Sequence, residues 1–322
     1  MNSVVNSVLP LVKPMLAVPA QPFDDPDYFF EIKWDGYRCL AYLDGQTNLV
    51  SRNLKNITGT FPDLGGLCHC VNDKPMVLDG EIIVLDGGKP SFDALQSRAK
   101  LVDKHRVGRA ANNLPAIYVA FDILYRRGKS MMQFSLSERR DCLQAIAKTD
   151  NNFIISEPVR GGGVAFYQAC VDRGLEGAVA KKIDSKYRPG TRSVYWKKLR
   201  HTRVADFVIC GYRQGRGGRM LGSLVLAAWN GTSFIYQGMV GSGLSWDEEV
   251  FLLKKLVHLG TPNPPFKGNP VPVRDVQWLR PRLVCQVEYL TLTRGGILRH
   301  PVYKGLRADK APEECAPAGQ QN

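Results

Sequence analysis

A lysine flanked by two carboxylates, at the end of a predicted strand, is the feature of this sequence with the clearest chemical potential. Lys33 follows the apolar run 28–32, lies between Glu31 and Asp35, and precedes Gly36. Glycine allows close approach of the backbone to a ligand, and a lysine amine can act as a covalent nucleophile. This run suits attack on phosphorus, although alone it also fits a surface turn with solvated charges.

Six further short motifs follow Lys33, and each taken singly fits an ordinary half-buried strand or a surface turn. Their side chains could contact a base, a phosphate or a metal ion. In the fifth, Lys198 and Arg200 alternate with apolar residues, so they share one face of a strand. The six are Ser51-Arg52-Asn53, Asp79-Gly80-Glu81, Tyr118–Asp122, Glu176–Lys181, Trp196–Arg200 and Arg307–Lys310.

Apolar, β-rich runs outnumber helical patterns in the first two hundred residues. The predicted strands are 28–32, 39–43, 76–78, 81–85, 117–124, 177–182 and 194–199, with a tight turn at Asp79-Gly80-Glu81. One helix is predicted to begin at Ser137 as its cap, and another to span 164–173 and end at Gly174. Strands seldom alternate with helices, so an α+β fold of antiparallel sheets with flanking helices is favoured over a doubly wound parallel sheet.

The sequence pattern changes after about residue 202. Strands are predicted at 204–212, 223–229, 234–240, 284–293 and 298–303, with a helix over 246–259 and a proline-rich connection at 262–272. Five or so strands with one interposed helix are typical of a small closed barrel of the oligonucleotide-binding (OB) type. We therefore predict a first domain over 1–201, an OB-fold domain over 202–310 and a disordered tail over 311–322.

The composition favours a soluble protein with a polyanionic partner. The chain has 322 residues and a net charge of +13, and nucleic acid is the first candidate partner, although charge alone could serve only solubility. No apolar run is long enough to span a membrane, and no export signal is apparent. Eight scattered cysteines lack the spacing of a zinc site, which favours reduced thiols in the cytoplasm.

Together, in this order, the motifs resemble those of the covalent nucleotidyltransferase superfamily of ATP-dependent DNA ligases, RNA ligases and mRNA-capping enzymes. The resemblance runs from Lys33 to Lys310. Closer detail is similar to the ligase module of bacterial end-joining ligases, in 13–17, 238–243, 293–301 and 305–310. The resemblance implies a nucleotidyltransferase (adenylation) domain followed by the OB-fold domain.

The resemblance also implies a role for each motif residue in binding ATP. Lys33 would be the nucleophile that carries AMP, with Ile32 beside it at the nucleotide. Glu31 would accept a hydrogen bond from the adenine amino group, and Phe121 would stack on the base. Two further residues, Glu81 and Arg38, would contact the ribose, and Arg38 would also reach the phosphate edge.

The remaining residues are implied in phosphate and metal chemistry. Asp35 and Glu176 would serve a Mg²⁺ or Mn²⁺ ion, which needs only one or two carboxylates. Lys181 and Lys198 would neutralise the α-phosphate. Arg52 would contact the 5′-phosphate of the DNA, and Arg307, Asp309 and Lys310 would act as pyrophosphate departs. Arg200 stands where the family usually has lysine, and the guanidinium has a different geometry.

The implied function is an ATP-dependent DNA ligase that seals nicks between a 5′-phosphate and a 3′-hydroxyl in duplex DNA, in DNA repair and recombination. We expect a monomer associated with the nucleoid, with a DNA-end-binding or repair protein as a possible partner. Two alternatives stay open. One is an RNA ligase or a GTP-using capping enzyme, and the other is a non-catalytic nucleic-acid binder with a decayed transferase domain.

Overall fold

The computed structural model describes residues 9–266 and 275–320. The chain divides into two compact units, with the division after His201. In the described ranges, no helix is both long and apolar enough to cross a membrane. Part of the predicted proline-rich connection, residues 267–272, lies outside the described residues.

The first unit is built mainly from strands. Its strands are β1 Leu16–Pro19, β2 Tyr28–Ile32, β3 Tyr37–Asp44, β4 Gln46–Ser51, β5 Met76–Asp86, β6 Lys89–Pro90, β7 Ala116–Arg126, β8 Lys129–Ser130, β9 Phe153–Ile155, β10 Val159–Arg160, β11 Gly177–Lys182 and β12 Arg192–Arg200. Its helices are α1 Phe92–Ala99, α2 Lys104–Asn113, α3 Leu136–Ile146 and α4 Gly163–Asp172, and 3₁₀ helices span Thr58–Thr60 and Pro62–His69.

These strands form two sheets. One has the order β1-β12-β11-β2-β10, and the other has the order β4-β3-β5-β7-β8, with β6 on β5 and β9 on β7. Pairing is antiparallel except between β1 and β12 and between β7 and β9. The largest apolar core packs one face of the second sheet against α1, α3 and the long 3₁₀ helix, and includes Phe61, Leu95 and Leu143. The prediction of an α+β fold with antiparallel sheets is confirmed.

Strand register in the first sheet positions the motif residues. Val179 in β11 pairs with Glu31 in β2 on one side and with Lys198 in β12 on the other. Gly177, at the start of β11, pairs with Arg200 and accepts a backbone hydrogen bond from Lys33. Three motifs that are far apart in sequence therefore lie on three adjacent strands.

Two local predictions in this unit were wrong. Asp79 and Glu81 do not form a turn, because β5 runs without interruption from Met76 to Asp86 with Asp79 fully buried. A bulge opposite Asp79 accommodates the polar residue within an apolar strand. The helix α3 begins at Leu136, and its cap is Ser135 rather than Ser137, because Ser135 and Glu138 form a reciprocal capping box.

The second unit is a five-stranded antiparallel sheet in the order β15-β14-β13-β16-β19, with one helix and a short hairpin. This arrangement agrees with the predicted OB-fold. Its strands are β13 Arg203–Gln214, β14 Leu221–Trp229, β15 Phe234–Val240, β16 Val276–Tyr289, β17 Thr291–Leu292, β18 Leu298–Arg299 and β19 Val302–Arg307. Its helices are α5 Trp246–Leu256 and 3₁₀ helices at Val257–Leu259 and Pro312–Glu314.

The prediction of a disordered tail was wrong for residues 311–320. After the 3₁₀ helix at Pro312–Glu314, the backbone carbonyl of Cys315 accepts a hydrogen bond from the amide of Trp229 at 2.6 Å. The amide of Ala318 donates to the side chain of Gln237 at 3.0 Å. Cys315 is fully buried among apolar residues of the barrel, so burial of small side chains fixes a segment whose composition is polar.

Candidate active site

A cavity of about 230 Å³ opens in the first unit, along the motif residues of β2, β11 and β12. Its wall combines charged side chains with three aromatic residues, Trp34, Phe121 and Trp196. The lining residues are Leu16, Ala17, Glu31, Ile32, Lys33, Trp34, Arg38, Arg52, Glu81, Phe121, Val179, Lys181, Arg192, Trp196, Lys198 and Arg200. We call the part around Glu31, Phe121 and Lys181 the buried end, and the part around Arg52, Arg192, Lys198 and Arg200 the open end.

The Lys33 amine lies between the two ends. Its Nζ donates to Oε2 of Glu176 at 2.6 Å, and the Lys33 side chain is mostly but not fully buried. The other oxygen, Oε1, lies 3.1 Å from Nε of Arg200, although this nitrogen is not aligned as a hydrogen-bond donor. One buried carboxylate therefore contacts both the amine of Lys33 and the guanidinium of Arg200, and it balances only one of the two positive charges.

The open end carries cations with few protein partners. Neither Arg52 nor Lys198 makes a side-chain hydrogen bond or ion pair with any residue that the structure describes. Desolvation, followed by the nearby positive charges of Arg200 and Arg192, lowers the pKa of Lys198. An anion bound here would therefore reduce the repulsion among these like charges. It could pair with Arg52 or Lys198 without first breaking an ion pair within the protein.

The buried end contrasts with this, because its ionic groups are fully paired. Glu31 is 2% exposed, and its oxygens accept from Nη1 of Arg140 at 2.9 Å and from Nζ of Lys181 at 3.0 Å. Arg140 also donates to the backbone carbonyls of Phe121 and Ser156. The carboxylate of Glu31 is thus an acceptor held in place by two buried cations.

The ring of Phe121 lies beside these charges. Nζ of Lys181 is 4.0 Å from the ring centroid, and Cζ of Arg38 is 4.4 Å from it. Trp196 packs edge-on against the same ring, with centroids 6.2 Å apart. Burial, only partly offset by Glu31, lowers the pKa of Lys181 to about 8.

Arg38 is fixed by a buried acid. Its Nε and Nη2 donate to the two oxygens of Asp79 at 2.6 and 2.7 Å, and the Tyr187 hydroxyl donates to Asp79 at 2.6 Å. This bidentate pair fixes the plane of the guanidinium at the cavity wall.

Glu81, two residues along β5, faces the cavity. Desolvation raises its pKa to about 7, against the opposing effect of Arg38 and Lys33. A group with this pKa can exchange a proton near neutral pH.

The last motif gathers around an acid of the second unit. Nη1 of Arg307 and Nζ of Lys310 both donate to Asp206, at 3.1 and 2.8 Å to the same oxygen. On its other edge, Arg307 donates to both oxygens of Asp309, at 2.9 and 2.8 Å. The guanidinium is therefore held between two carboxylates.

These motifs are matched by two family models. The family described as "ATP dependent DNA ligase domain" matches residues 14–200, and "ATP dependent DNA ligase C terminal region" matches residues 217–310. The chain belongs to the ATP-dependent DNA ligase family. The resemblance inferred from the motifs is thereby confirmed.

Curated relatives of this chain include proteins that are much longer than it. It is 36% identical over 292 residues to the "Multifunctional non-homologous end joining protein LigD" of Mycobacterium bovis, covering 88% of the chain and 37% of the relative. It is 33% identical over 322 residues to the protein of that name from Pseudomonas aeruginosa, covering 96% and 37%. The chain therefore spans little more than a third of these relatives.

Solved structures extend the similarity to the fold. The chain matches "mycobacterial DNA ligase D complexed with ATP and MES" with a TM-score of 0.56 and 32% identity, over 95% of this chain and 98% of that one. A structure titled "DNA binding with a minimal scaffold: Structure-function analysis of Lig E DNA ligases" matches with a TM-score of 0.63 at 17% identity, over 91% and 99%. The second likeness shows the fold alone.

Most of the predicted site residues come together in one cavity. They are Glu31, Ile32, Lys33, Arg38, Arg52, Glu81, Phe121, Lys181 and Lys198. Neither Glu176 nor Asp35 lines the cavity. Glu176 nevertheless contacts the amine of Lys33. Arg307 and Lys310 lie together in the second unit. Lys181 differs from expectation in one respect, because it pairs with Glu31 at the buried end rather than standing free for a phosphate.

Four residues that hydrogen-bond to the predicted site residues, or to their partners, were not predicted from the sequence: Asp79, Arg140, Tyr187 and Asp206. A signal existed for three of them. Asp79 and Asp206 are acids within largely apolar strands, and Arg140 falls on the buried face of α3 with Leu136 and Leu143. A charged residue in such a place is expected to have a partner. No comparable pattern marks Tyr187.

The carboxylate beside Lys33 supplies part of a binding site for Mg²⁺ or a similar divalent ion. Glu176 offers one buried carboxylate whose partners are two displaceable cations, and Mg²⁺ accepts one or two carboxylates while keeping several waters. In residues 9–266 and 275–320, no group of three or more acidic, histidine or cysteine ligands comes together. The site therefore fits an ion shared with a phosphate substrate better than one bound by protein alone.

Proposed function

We propose that this chain seals nicks between a 5′-phosphate and a 3′-hydroxyl in duplex DNA, through an AMP carried on Lys33 and then on the DNA. The observation that carries the proposal is the Lys33 amine, which donates to Glu176 at 2.6 Å in a cavity that is also lined by the Phe121 ring and by the cations Arg52 and Lys198. Family membership supports ATP as the nucleotide. The similarity to end-joining relatives supports a place in DNA repair.

In the first reaction, Nζ of Lys33 attacks the α-phosphorus of ATP. A nitrogen–phosphorus bond forms, the bond between the α-phosphorus and the bridging oxygen breaks, and pyrophosphate leaves with that electron pair. The amine must first lose a proton, and the Glu176 carboxylate, 2.6 Å away, is in direct contact with it. Lys198 would stabilise the charge that develops on the α-phosphate.

The next two reactions use the same cavity. A 5′-phosphate oxygen of the nick attacks the phosphorus bound to Lys33, which regenerates the amine and forms a DNA-adenylate. The 3′-hydroxyl then attacks the 5′-phosphorus and releases AMP. Arg52, at the open end and without a side-chain partner among the described residues, would bind the 5′-phosphate.

The buried end is suited to adenine. Phe121, whose ring now lies within 4.0 Å of the Lys181 amine and 4.4 Å of the Arg38 guanidinium, would stack on the base, a contact worth roughly 1–3 kcal/mol. Glu31, held by Arg140 and Lys181, offers oxygens that only accept, which suits the amino group of adenine and not the carbonyl of guanine. Ile32 and Arg38 complete the wall, and Glu81 would bind the ribose hydroxyls.

A divalent ion would be held at Glu176, with Asp35 as a further acidic group. When bound, Mg²⁺ or Mn²⁺ would withdraw charge from the phosphate oxygens and disfavour the protonated form of a neighbouring amine. The protein would act as a monomer on nicked DNA near the nucleoid, and an end-binding protein is a suitable partner. The net charge of +13 supports a polyanionic substrate.

Intact-mass measurement after incubation with ATP and MgCl₂ tests the proposal. We expect one AMP adduct on the wild type, none on Lys33→Ala, and an unchanged adduct on Lys129→Ala, which removes an exposed lysine of β8. The labelled adduct should pass to nicked DNA duplex and not to nicked RNA. Absence of any adduct with ATP, GTP and either cation would overturn the proposal, and transfer only to RNA would favour an RNA-end enzyme.

A further inference from the structure

The hydroxyl of Tyr187 joins parts of the first unit that are distant in sequence. Tyr187 lies between β11 and β12, and its hydroxyl accepts a hydrogen bond from the amide of Met15, just before β1, at 2.8 Å. The same hydroxyl donates to Oδ2 of Asp79, in β5, at 2.6 Å. Tyr187 is 2% exposed and Asp79 is fully buried, so both contacts are shielded from solvent.

The contact with Tyr187 adds a third donor to the ion pair between Asp79 and Arg38. Oδ1 of Asp79 accepts from Nε of Arg38 at 2.6 Å, and Oδ2 accepts from Nη2 at 2.7 Å as well as from the tyrosine. The two bonds from the guanidinium fix the two charged groups relative to each other. The bond from the tyrosine fixes the pair relative to the rest of the protein.

Tyr187 is held by contacts outside this ion pair. Its amide donates to the carbonyl of Met132 at 3.0 Å, and its ring packs edge-on against Trp196 with centroids 5.8 Å apart. Two residues earlier, the carbonyl of Ser185 accepts from the buried guanidinium of Arg139 at 3.0 Å. The position of the hydroxyl therefore does not depend on the ion pair that it supports.

Arg38 presents its guanidinium to the same cavity as Lys33. It lines the cavity, and its Cζ is 4.4 Å from the ring centroid of Phe121. Nε and Nη2 are held by Asp79, whereas Nη1 makes no hydrogen bond with any residue in 9–266 or 275–320. A ligand could bond to Nη1 without displacing the carboxylate, and the place of that nitrogen depends on how the carboxylate is anchored.

We infer that Tyr187 is a positioning residue for the nucleotide, because its hydroxyl, acting through Asp79, sets the place of the Arg38 guanidinium at the ribose and phosphate edge of ATP. The inference rests on the proposed function, since it assigns Tyr187 to the binding of ATP before AMP is transferred. Tyr187 is not part of the cavity lining. Without the hydroxyl, Oδ2 of Asp79 would keep one donor, and the amide of Met15 would lose its acceptor.

Tyr187→Phe removes the hydroxyl and keeps the ring. We expect the KM for ATP in AMP transfer to Lys33 to rise about tenfold, with the maximal rate within about threefold of the wild type. The variant loses a hydrogen bond to a charged group that supports binding and does not touch the reacting atoms. Labelling of the protein at varied ATP concentrations, with MgCl₂ in fixed excess, measures both quantities.

Tyr42→Phe is the matched control. Tyr42 is also fully buried, and its hydroxyl also binds the segment before β1, because it accepts from the amide of Val12 at 2.9 Å and donates to the carbonyl of Pro10 at 3.2 Å. Both variants should lose a similar amount of stability in denaturant titration. The KM of Tyr42→Phe for ATP should nevertheless stay within about twofold of the wild type. A tenfold rise in both variants would overturn the inference.

A double variant tests whether Tyr187 acts through Arg38. Arg38→Lys keeps a cation beside Asp79 and loses the fork of the guanidinium. In this background Tyr187→Phe should change the KM by less than about twofold, whereas a merely structural role would give the same tenfold rise in both backgrounds. Equal rises, or an unchanged KM in Tyr187→Phe alone, would overturn the inference while the wild type still took up AMP. A wild type that took up no AMP would overturn the proposed function, and the inference with it.

Discussion

The charged side chains at the buried end of the cavity are paired with one another, whereas two of those at the open end are not. At the buried end, Glu31 is paired with Arg140 and Lys181, and these three groups are almost fully enclosed. At the open end, Arg52 and Lys198 have no acidic partner among the described residues. A paired, buried charge fixes geometry before a ligand arrives, whereas an unpaired one near solvent is available to an incoming anion. The first end is suited to recognition and the second to phosphate chemistry.

Removal of the ion pair between Arg140 and Glu31 at the buried end should have the largest effect, as a loss of folding stability. Arg140→Met leaves one oxygen of Glu31 and two backbone carbonyls without their donor. We expect the free energy of unfolding to fall by about 3–5 kcal/mol, measured by denaturant titration. Arg109→Met, at an exposed position of α2, is the control and should change it by less than about 0.5 kcal/mol. A stable Arg140→Met protein would show that the pairing at Glu31 contributes little.

Changing the open end should affect rate instead. Lys198→Ala is expected to slow AMP transfer to Lys33 by about a hundredfold with little change in stability, because the lost cation acts where charge develops. Single-turnover labelling with ATP measures this rate. Lys197→Ala is the matched control, since this neighbour lies outside the cavity lining with its amine 4.4 Å from the ring centroid of Phe23. Equal rates in the two variants would contradict a phosphate role for Lys198.

The motif residues that face the open end were easier to predict from the sequence than the buried ion pairs that support the site. Lys33, Arg52 and Lys198 lie in short motifs whose order along the chain is itself informative, so these three residues could be singled out from the sequence. Arg192, at the open end, lies in no such motif and was not predicted. The strands that carry them were also predicted, with 177–182 and 28–32 identical to β11 and β2.

The supports of the site were less predictable, because long-range pairing decides them. Arg140 reaches Glu31 across 109 residues, and Tyr187 reaches Asp79 across 108. Local pattern does not specify such partners. For the same reason β5 appeared to be broken at Asp79, since only its partners Arg38 and Tyr187 make a buried acid acceptable there. The tail was misjudged because burial of Cys315 depends on the barrel, not on tail composition.

Glu81 lies between the two ends and links the site to pH. Its pKa is raised to about 7 by burial, from 4.5 in an unfolded chain, with Glu176 and Asp79 adding to the shift and Arg38 and Lys33 opposing it. Between these values the unfolded chain has released a proton that the folded chain retains. The protonated side chain of Glu81 therefore stabilises the folded protein at low pH, and this stabilisation is lost as the pH rises through about 7.

Glu81→Gln should remove this dependence. Relative to the wild type, we expect its free energy of unfolding to increase by about 1–3 kcal/mol from pH 4.5 to pH 8, and then to level off. Urea titrations across that range measure the difference. Glu157→Gln, at an exposed position, should give a flat difference. A flat difference for Glu81→Gln as well would mean that the folded and unfolded carboxyl groups titrate alike.

The smallest effect concerns Arg52 and the DNA. A cation that binds one phosphate releases counterions from the duplex, so the logarithm of the binding constant falls with the logarithm of salt concentration by about one unit of slope per contact. Arg52→Ala should reduce that slope by about 1 for nicked duplex with a 5′-phosphate, and by much less when the nick has a 5′-hydroxyl. Lys129→Ala should keep the wild-type slope on both. Equal reductions on the two DNAs would place Arg52 on the continuous backbone rather than at the nick, and the open end would then bind DNA without selecting the phosphate to be joined.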